Sequence, residues 1–128
     1  MKREDIDLFV KIQSQLEELY NEISALSKKS QNDALNEFKL EFVNNLLEES
    51  NKILGEKYKP FKQFSKFDND NIPTNSDVVM ILSQYLSCLE NLRSDNIVSE
   101  EYSPNWFWLI DGNSSGIQTK KPERIERR

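Results

Sequence analysis

Histidine is absent from all 128 residues of this chain. That gap removes the commonest general base, the commonest metal ligand and every catalytic triad built on an imidazole. Glycine is almost as scarce: three residues, two of them in one turn, cannot compose the GxxxxGK[ST] or GxGxxG loops that cradle phosphate groups. The lone cysteine, Cys88, excludes an internal disulfide, and its place within an apolar helical pattern reads as a small core residue rather than a nucleophile. Long apolar runs are missing too. The longest is VVMIL at residues 78–82, far short of a membrane span, and the opening MKREDIDLF holds no leader-like apolar segment. From these gaps we expect a soluble cytoplasmic protein that is not an enzyme and uses no cofactor and no metal.

Two acidic patterns come closest to chemistry and fall short of it. Asp68 and Asp70 stand two apart, as at the start of an EF-hand loop, but Ile72 and Pro73 occupy positions that need a ligand and a glycine. Glu48 and Glu49 are neighbours, and on a helix neighbours point about 100° apart, so they form no facing acid/base pair.

What the chain does have is helical periodicity. Phe9, Ile12, Leu16, Leu19, Ile23 and Leu26 follow a 3-4-3-4-3 spacing that draws one stripe down a helix over residues 4–28. Glu4, Asp5 and Asp7 put negative charge near the positive end of its dipole. The stripe also fits a dimer seam, but Leu8, Val10 and Tyr20 widen it beyond a narrow one, so packing within the chain is the expected use. A second helix is expected over 33–54, capped by Asn32 or Asp33, with Leu35, Phe38, Phe42, Leu46 and Ile53 on one face, Val43, Leu47 and Leu54 widening it, and Gly55 ending it. A third is expected over 75–94, capped by Thr74 or Asn75, with Val78, Leu82, Tyr85, Leu89 and Leu92 inward. Val78, Val79, Met80, Ile81 and Leu82 surround its first turns with apolar side chains, which suggests an end buried on several sides. The spacing predicts a mainly α domain, an antiparallel three-helix bundle in a single unit over 1–128.

The end of the chain differs in kind. NWFWLID sets Trp106, Trp108 and Ile110 against Phe107 and Leu109, and DGNSSG supplies turn residues, so a short β-hairpin is expected over about 105–120, followed by a basic tail over 118–128. Both faces of its first strand are apolar, yet a hairpin laid on a bundle covers only one. The other face asks for a cover: the loop described next, a second copy of the chain or a different protein. Tryptophan and arginine dominate interface energies, which makes Trp106, Phe107, Trp108, Lys120, Lys121 and Arg124 the candidate partner-binding residues.

Residues 56–74 form an aromatic loop in which Tyr58, Phe61, Phe64 and Phe67 recur every third residue, with Lys57, Lys59, Lys62 and Lys66 between them. Rings that stack on bases and ammonium groups that neutralise phosphate suit single-stranded nucleic acid, and Lys57, Tyr58, Lys59, Phe61 and Lys62, together with the basic tail, are what such a module would use. The same period puts every ring on one side of an extended or 3₁₀ segment, where the rings simply cover the bundle, and this is the favoured reading. The acidic balance, −5 overall, also repels phosphate. The leading expectation is therefore a small non-enzymatic adaptor or accessory subunit that binds another protein.

Overall fold

The computed structural model describes residues 1–123, and its elements run α1 (Arg3–Ser30), α2 (Glu37–Tyr58), α3 (Asn75–Ser94), β1 (Ile97–Ser99), β2 (Trp106–Ile110) and β3 (Asn113–Thr119). The protein is mainly α, with a three-stranded antiparallel sheet at the C-terminal end in the order β1-β2-β3. Arg124, within the expected basic tail, lies outside the described residues.

The backbone N–H of Lys2 donates to the Asp5 carboxylate at 3.1 Å, so a carboxylate in the first turn of α1 satisfies a donor at the helix start. Ile6, Phe9, Ile12, Leu16 and Ile23 are buried along its stripe, which places the seam-like face of α1 inside its own monomer. The spacing of α3 gives the same result: Val78, Leu82, Tyr85, Leu89 and Leu92 are all buried, and the Thr74 hydroxyl caps the helix by accepting from Asp77 N–H at 3.2 Å. The first turns of α3 are not buried on every side, because Met80 is exposed.

Helix α2 departs from expectation in its start and in its phase. Its cap is Asn36, whose Oδ1 accepts from the N–H groups of Phe38 and Lys39 at 2.8 and 3.3 Å. Residues 33–35 are held out of the helix by the segment before α3. Leu35 N–H donates to Pro73 at 2.9 Å, Asn75 N–H to Asp33 at 2.9 Å, and the Asn75 side chain to the Ser30 carbonyl at 2.9 Å. The buried face of α2 is Leu40, Val43, Asn44, Leu47, Ser50 and Leu54, whereas Phe38 and Phe42 stand outside it. Steps of four residues drift about 40° each around a helix, so a stripe through 38, 42 and 46 wanders. The 40, 43, 47, 50, 54 series stays in line. Val43, Leu47 and Leu54 are the widening residues of the expected stripe, while Asn44 and Ser50, which share their face, carry no apolar signal. Gly55 interrupts α2 with φ 63° and ψ −172°, a conformation other residues scarcely adopt, so the regular helix ends there as expected and one further turn follows.

The expected hairpin is the larger part of a sheet. Asp111 (φ 52°) and Gly112 (φ 78°) are both left-handed, which fits the two-residue turn that matches strand twist. The register between β2 and β3 runs Ile110↔Asn113 and Leu109↔Ser114, then slips to Phe107↔Gln118 and Trp106↔Thr119. Inside the slip Gly116 takes φ 78°, and Ser114 and Ser115 accept from the N–H groups of Gly116 and Ile117 at 3.4 and 3.0 Å. The serines therefore serve backbone donors that the displaced ladder leaves free. β1 adds Ile97↔Trp108 and Val98↔Phe107.

Candidate functional site

Strand β2 sorts the aromatic cluster by face. Trp108 is 1% exposed and meets Phe9 of α1 edge-to-face, ring centroids 5.1 Å apart and planes at 68°. It is a core residue rather than a docking residue, because the inner face of the sheet sets this ring, the largest fully buried side chain among the described residues, against Phe9. Trp106 and Ile110 are half-buried against the same core, joined by Ile117 of β3. Phe107 and Leu109 point to the opposite face and are half-buried, with Val98 and Gln118 beside Phe107 and Ser114 beside Leu109 in register. Of the residues expected to bind a partner, Trp108 is thus enclosed by the core, while Phe107 lies half-buried on the outer face beside Leu109.

The C-terminal edge of the sheet is tied down by a group the sequence reading passed over. Arg93, 1% exposed at the end of α3, donates its Nε–H to both Glu90 carboxylate oxygens at 3.0 Å. One terminal nitrogen donates to Thr119 Oγ1 at 3.1 Å and to the Lys120 carbonyl at 2.6 Å, and the other donates to Glu90 and to the Lys121 carbonyl at 2.8 Å. The guanidinium fork thus spends its donors on one carboxylate and three groups of the chain that leaves β3. Lys120 and Lys121 have exposed side chains while their carbonyls are held inward, and Lys120 pairs with Glu123 at 3.0 Å. A Glu90–Arg93 pair three apart near the end of the third helix was the signal in the sequence, and it looks like an ordinary surface pair.

The aromatic loop takes the covering role. Phe61, Phe64 and Phe67 form an edge-to-face ladder, centroids 5.8 and 5.2 Å apart, and pack with Tyr58 on the core as half-buried residues. Asn44 fixes the ladder's end by donating to the Phe67 carbonyl at 3.0 Å and accepting from its N–H at 2.9 Å. Asn51 accepts from the Tyr85 hydroxyl at 2.8 Å and donates to Ser65 at 3.0 Å. Burial pushes the Tyr85 hydroxyl above its ordinary pKa, against the opposing effect of that hydrogen bond.

The lysines between the rings are largely engaged by the protein itself. Lys59 pairs with Glu56 at 2.9 Å, Lys66 with Glu48 at 2.8 Å, and Lys57 lies 5.2 Å from the centre of the Tyr58 ring, whose hydroxyl donates to Asp95 at 2.6 Å. The Lys66 ammonium holds the exposed Glu48 carboxyl below its ordinary pKa, first by hydrogen bonding and then by charge. Lys62 remains exposed.

The largest uncovered aromatic surface lies elsewhere. Phe38 and Phe42, 68% and 51% exposed, meet edge-to-face at 5.0 Å on the outer side of α2. Phe42 also lines a groove of about 380 Å³ between α1 and α2, with Leu19 and Leu46 in it and Glu18, Glu22 and Glu49 around it. Lys39 reaches across to Glu22 at 2.8 Å at one end. A second hollow, between Tyr20, Ser24, Lys28 and Val79, holds the Ser24 hydroxyl, which has no hydrogen-bond partner among the described residues.

Among the described residues no group of three or more carboxylates or cysteines is placed to hold a metal ion, and no helix is long and apolar enough to cross a membrane. Asp68, at the head of the pseudo-EF-hand segment, accepts from Asp70 N–H at 2.9 Å in a simple turn. No family model, no curated protein and no solved structure matches this chain.

Proposed function

We propose that this chain is a small non-enzymatic interaction protein, an adaptor or accessory subunit, that binds another protein through apolar side chains its own core leaves uncovered. The observation that carries the reading is the Phe38–Phe42 pair, two rings four residues apart on one helix, each more than half exposed, with Phe42 lining a groove that also holds Leu19 and Leu46. Covering what remains of both rings contributes about 2–4 kcal/mol to binding, against roughly 8 kcal/mol for a micromolar complex. The reading takes the helices as an antiparallel bundle, supported at the α1–α2 contact by Glu22 meeting Lys39 while Lys11 and Glu49 line the other end of the same groove. The outer face of the sheet, with the half-buried Phe107 and Leu109, and the exposed Lys120 and Lys121 beyond β3 supply a second and smaller contact. The nucleic-acid reading of residues 57–62 has less support, since rings spent on the core and on each other leave less surface for a base.

The test uses the full chain, tagged in its native cell, with Phe38→Asp, Phe42→Asp and Phe107→Asp variants. Tyr102→Asn serves as control because Tyr102 is 99% exposed and isolated from the groove residues. Loss of a co-purifying protein with the α2 variants, retained with the control and with helical circular dichroism unchanged, is the expected outcome. Identical co-purification from all five chains would leave the surface without a role.

A further inference from the structure

The groove between α1 and α2 has a shape and a charge that narrow what can fill it. Its α1 wall is Lys11, Gln15, Glu18 and Glu22, spaced 4-3-4 and therefore on one face over about three turns, roughly 16 Å. Phe42 and Leu46 form the apolar side on α2, with Phe38 one turn before and Glu49 one turn beyond. Both walls are helices, whose main-chain N–H and C=O groups are satisfied internally. They offer an extended peptide no ladder of hydrogen bonds, as a sheet edge would. A helical ligand needs no such ladder, because it too is satisfied internally. The rim is anionic: Glu22 is paired with Lys39, but Glu18 and Glu49 enter no ion pair among the described residues, and Lys11 is the one cation among the lining side chains.

From this we infer that the groove binds an amphipathic helix of a partner protein. That helix spans about three turns, with apolar residues at i, i+4 and i+7 toward Leu19, Phe42 and Leu46 and with lysine or arginine flanking them toward Glu18 and Glu49. The inference rests on the docking surface proposed above and adds the partner's conformation and charge.

A displayed library of randomised peptides, about four turns long when helical, is panned against the full chain, with Phe42→Asp as counter-target and Phe38→Asp as a second variant on the same helix. Both variants are first checked for unchanged melting. The expected survivors have apolar residues at helical spacing and net positive charge, and synthetic copies bind the wild type about tenfold or more tighter than either variant. Glu18→Lys with Glu49→Lys weakens the same peptides. Survivors that need Phe42 but are acidic, or proline-rich and extended, overturn the helix and charge assignment and leave the docking surface standing. No survivor that depends on Phe42 or Phe38 overturns both. Dimerisation in the ultracentrifuge that Phe42→Asp abolishes gives the groove to a second copy of this chain and also overturns the inference.

Discussion

Arg93 keeps a full charge where almost no water reaches it, and the surrounding bonds explain how. Its guanidinium is matched by the Glu90 carboxylate, itself only 13% exposed at the side chain, and by the Lys120 and Lys121 carbonyls. Removing one partner leaves the other charge buried and unmatched. Arg93→Met is therefore expected to cost about 3–5 kcal/mol in urea unfolding, with part of that recovered when Glu90→Leu is added, because the double change removes both charges. Cys88 poses a gentler case. Burial raises its pKa, so less of it is thiolate at any given pH than in an exposed cysteine. Reaction of the folded protein with iodoacetamide at pH 8 is expected to be slower than that of the same protein in urea, and the difference should narrow as pH rises through the shifted pKa. Equal rates in both states would mean that the thiol is open to solvent.

Among the elements, α2 is held in place by its exceptions. Gly55 sits where φ 63° and ψ −172° suit glycine alone, yet no atom lies within 4 Å of where a Cβ would stand. Gly55→Ala meets backbone strain without a clash, and is expected to lower stability by about 1–3 kcal/mol by thermal or urea unfolding. A neutral outcome would show that the turn after residue 54 relaxes freely. The same helix marks where sequence periodicity stops being informative. The stripes of α1 and α3 were legible because apolar residues occupy nearly every inward position. In α2 the inward face includes Asn44 and Ser50, while Phe38 and Phe42 sit on the outside, so apolar residues alone mark Val43, Leu47 and Leu54 and misplace the two rings. The partners that justify Asn44 are the N–H and carbonyl of Phe67, twenty-three residues away, and no local pattern announces them. β1 was missed for a different reason: three residues, Ile97–Ser99, are too few to show alternation, and their strand character comes from pairing with β2. The surface proposed for docking was thus half legible. The two-sided apolar pattern of β2 announced its outer face, where Phe107 and Leu109 are half-buried, and nothing in the sequence announced the α1–α2 groove.

At the scale of the whole molecule, the sheet is a wall of the core. Trp108 fills space against Phe9, Ile97 is buried beside it, and Arg93 of α3 grips the chain beyond β3. A chain ending at residue 103 would lose β2 and β3 together, uncover Phe9 and leave the Arg93–Glu90 pair without its carbonyl partners. Such a truncation is expected to keep much of its helical circular dichroism while losing a sharp, cooperative melting transition and binding a hydrophobic dye, the marks of a loosened core. A cooperative transition within a few degrees of the intact protein would show that the helices close without the sheet.

The contact between Phe9 and Trp108 also sets an order of events at birth. At synthesis rates of about 5–20 residues per second, the stretch between these two rings takes roughly 5–20 s to emerge. For that interval the growing chain carries an open socket on its first helix, which a chaperone can occupy before the final strand arrives.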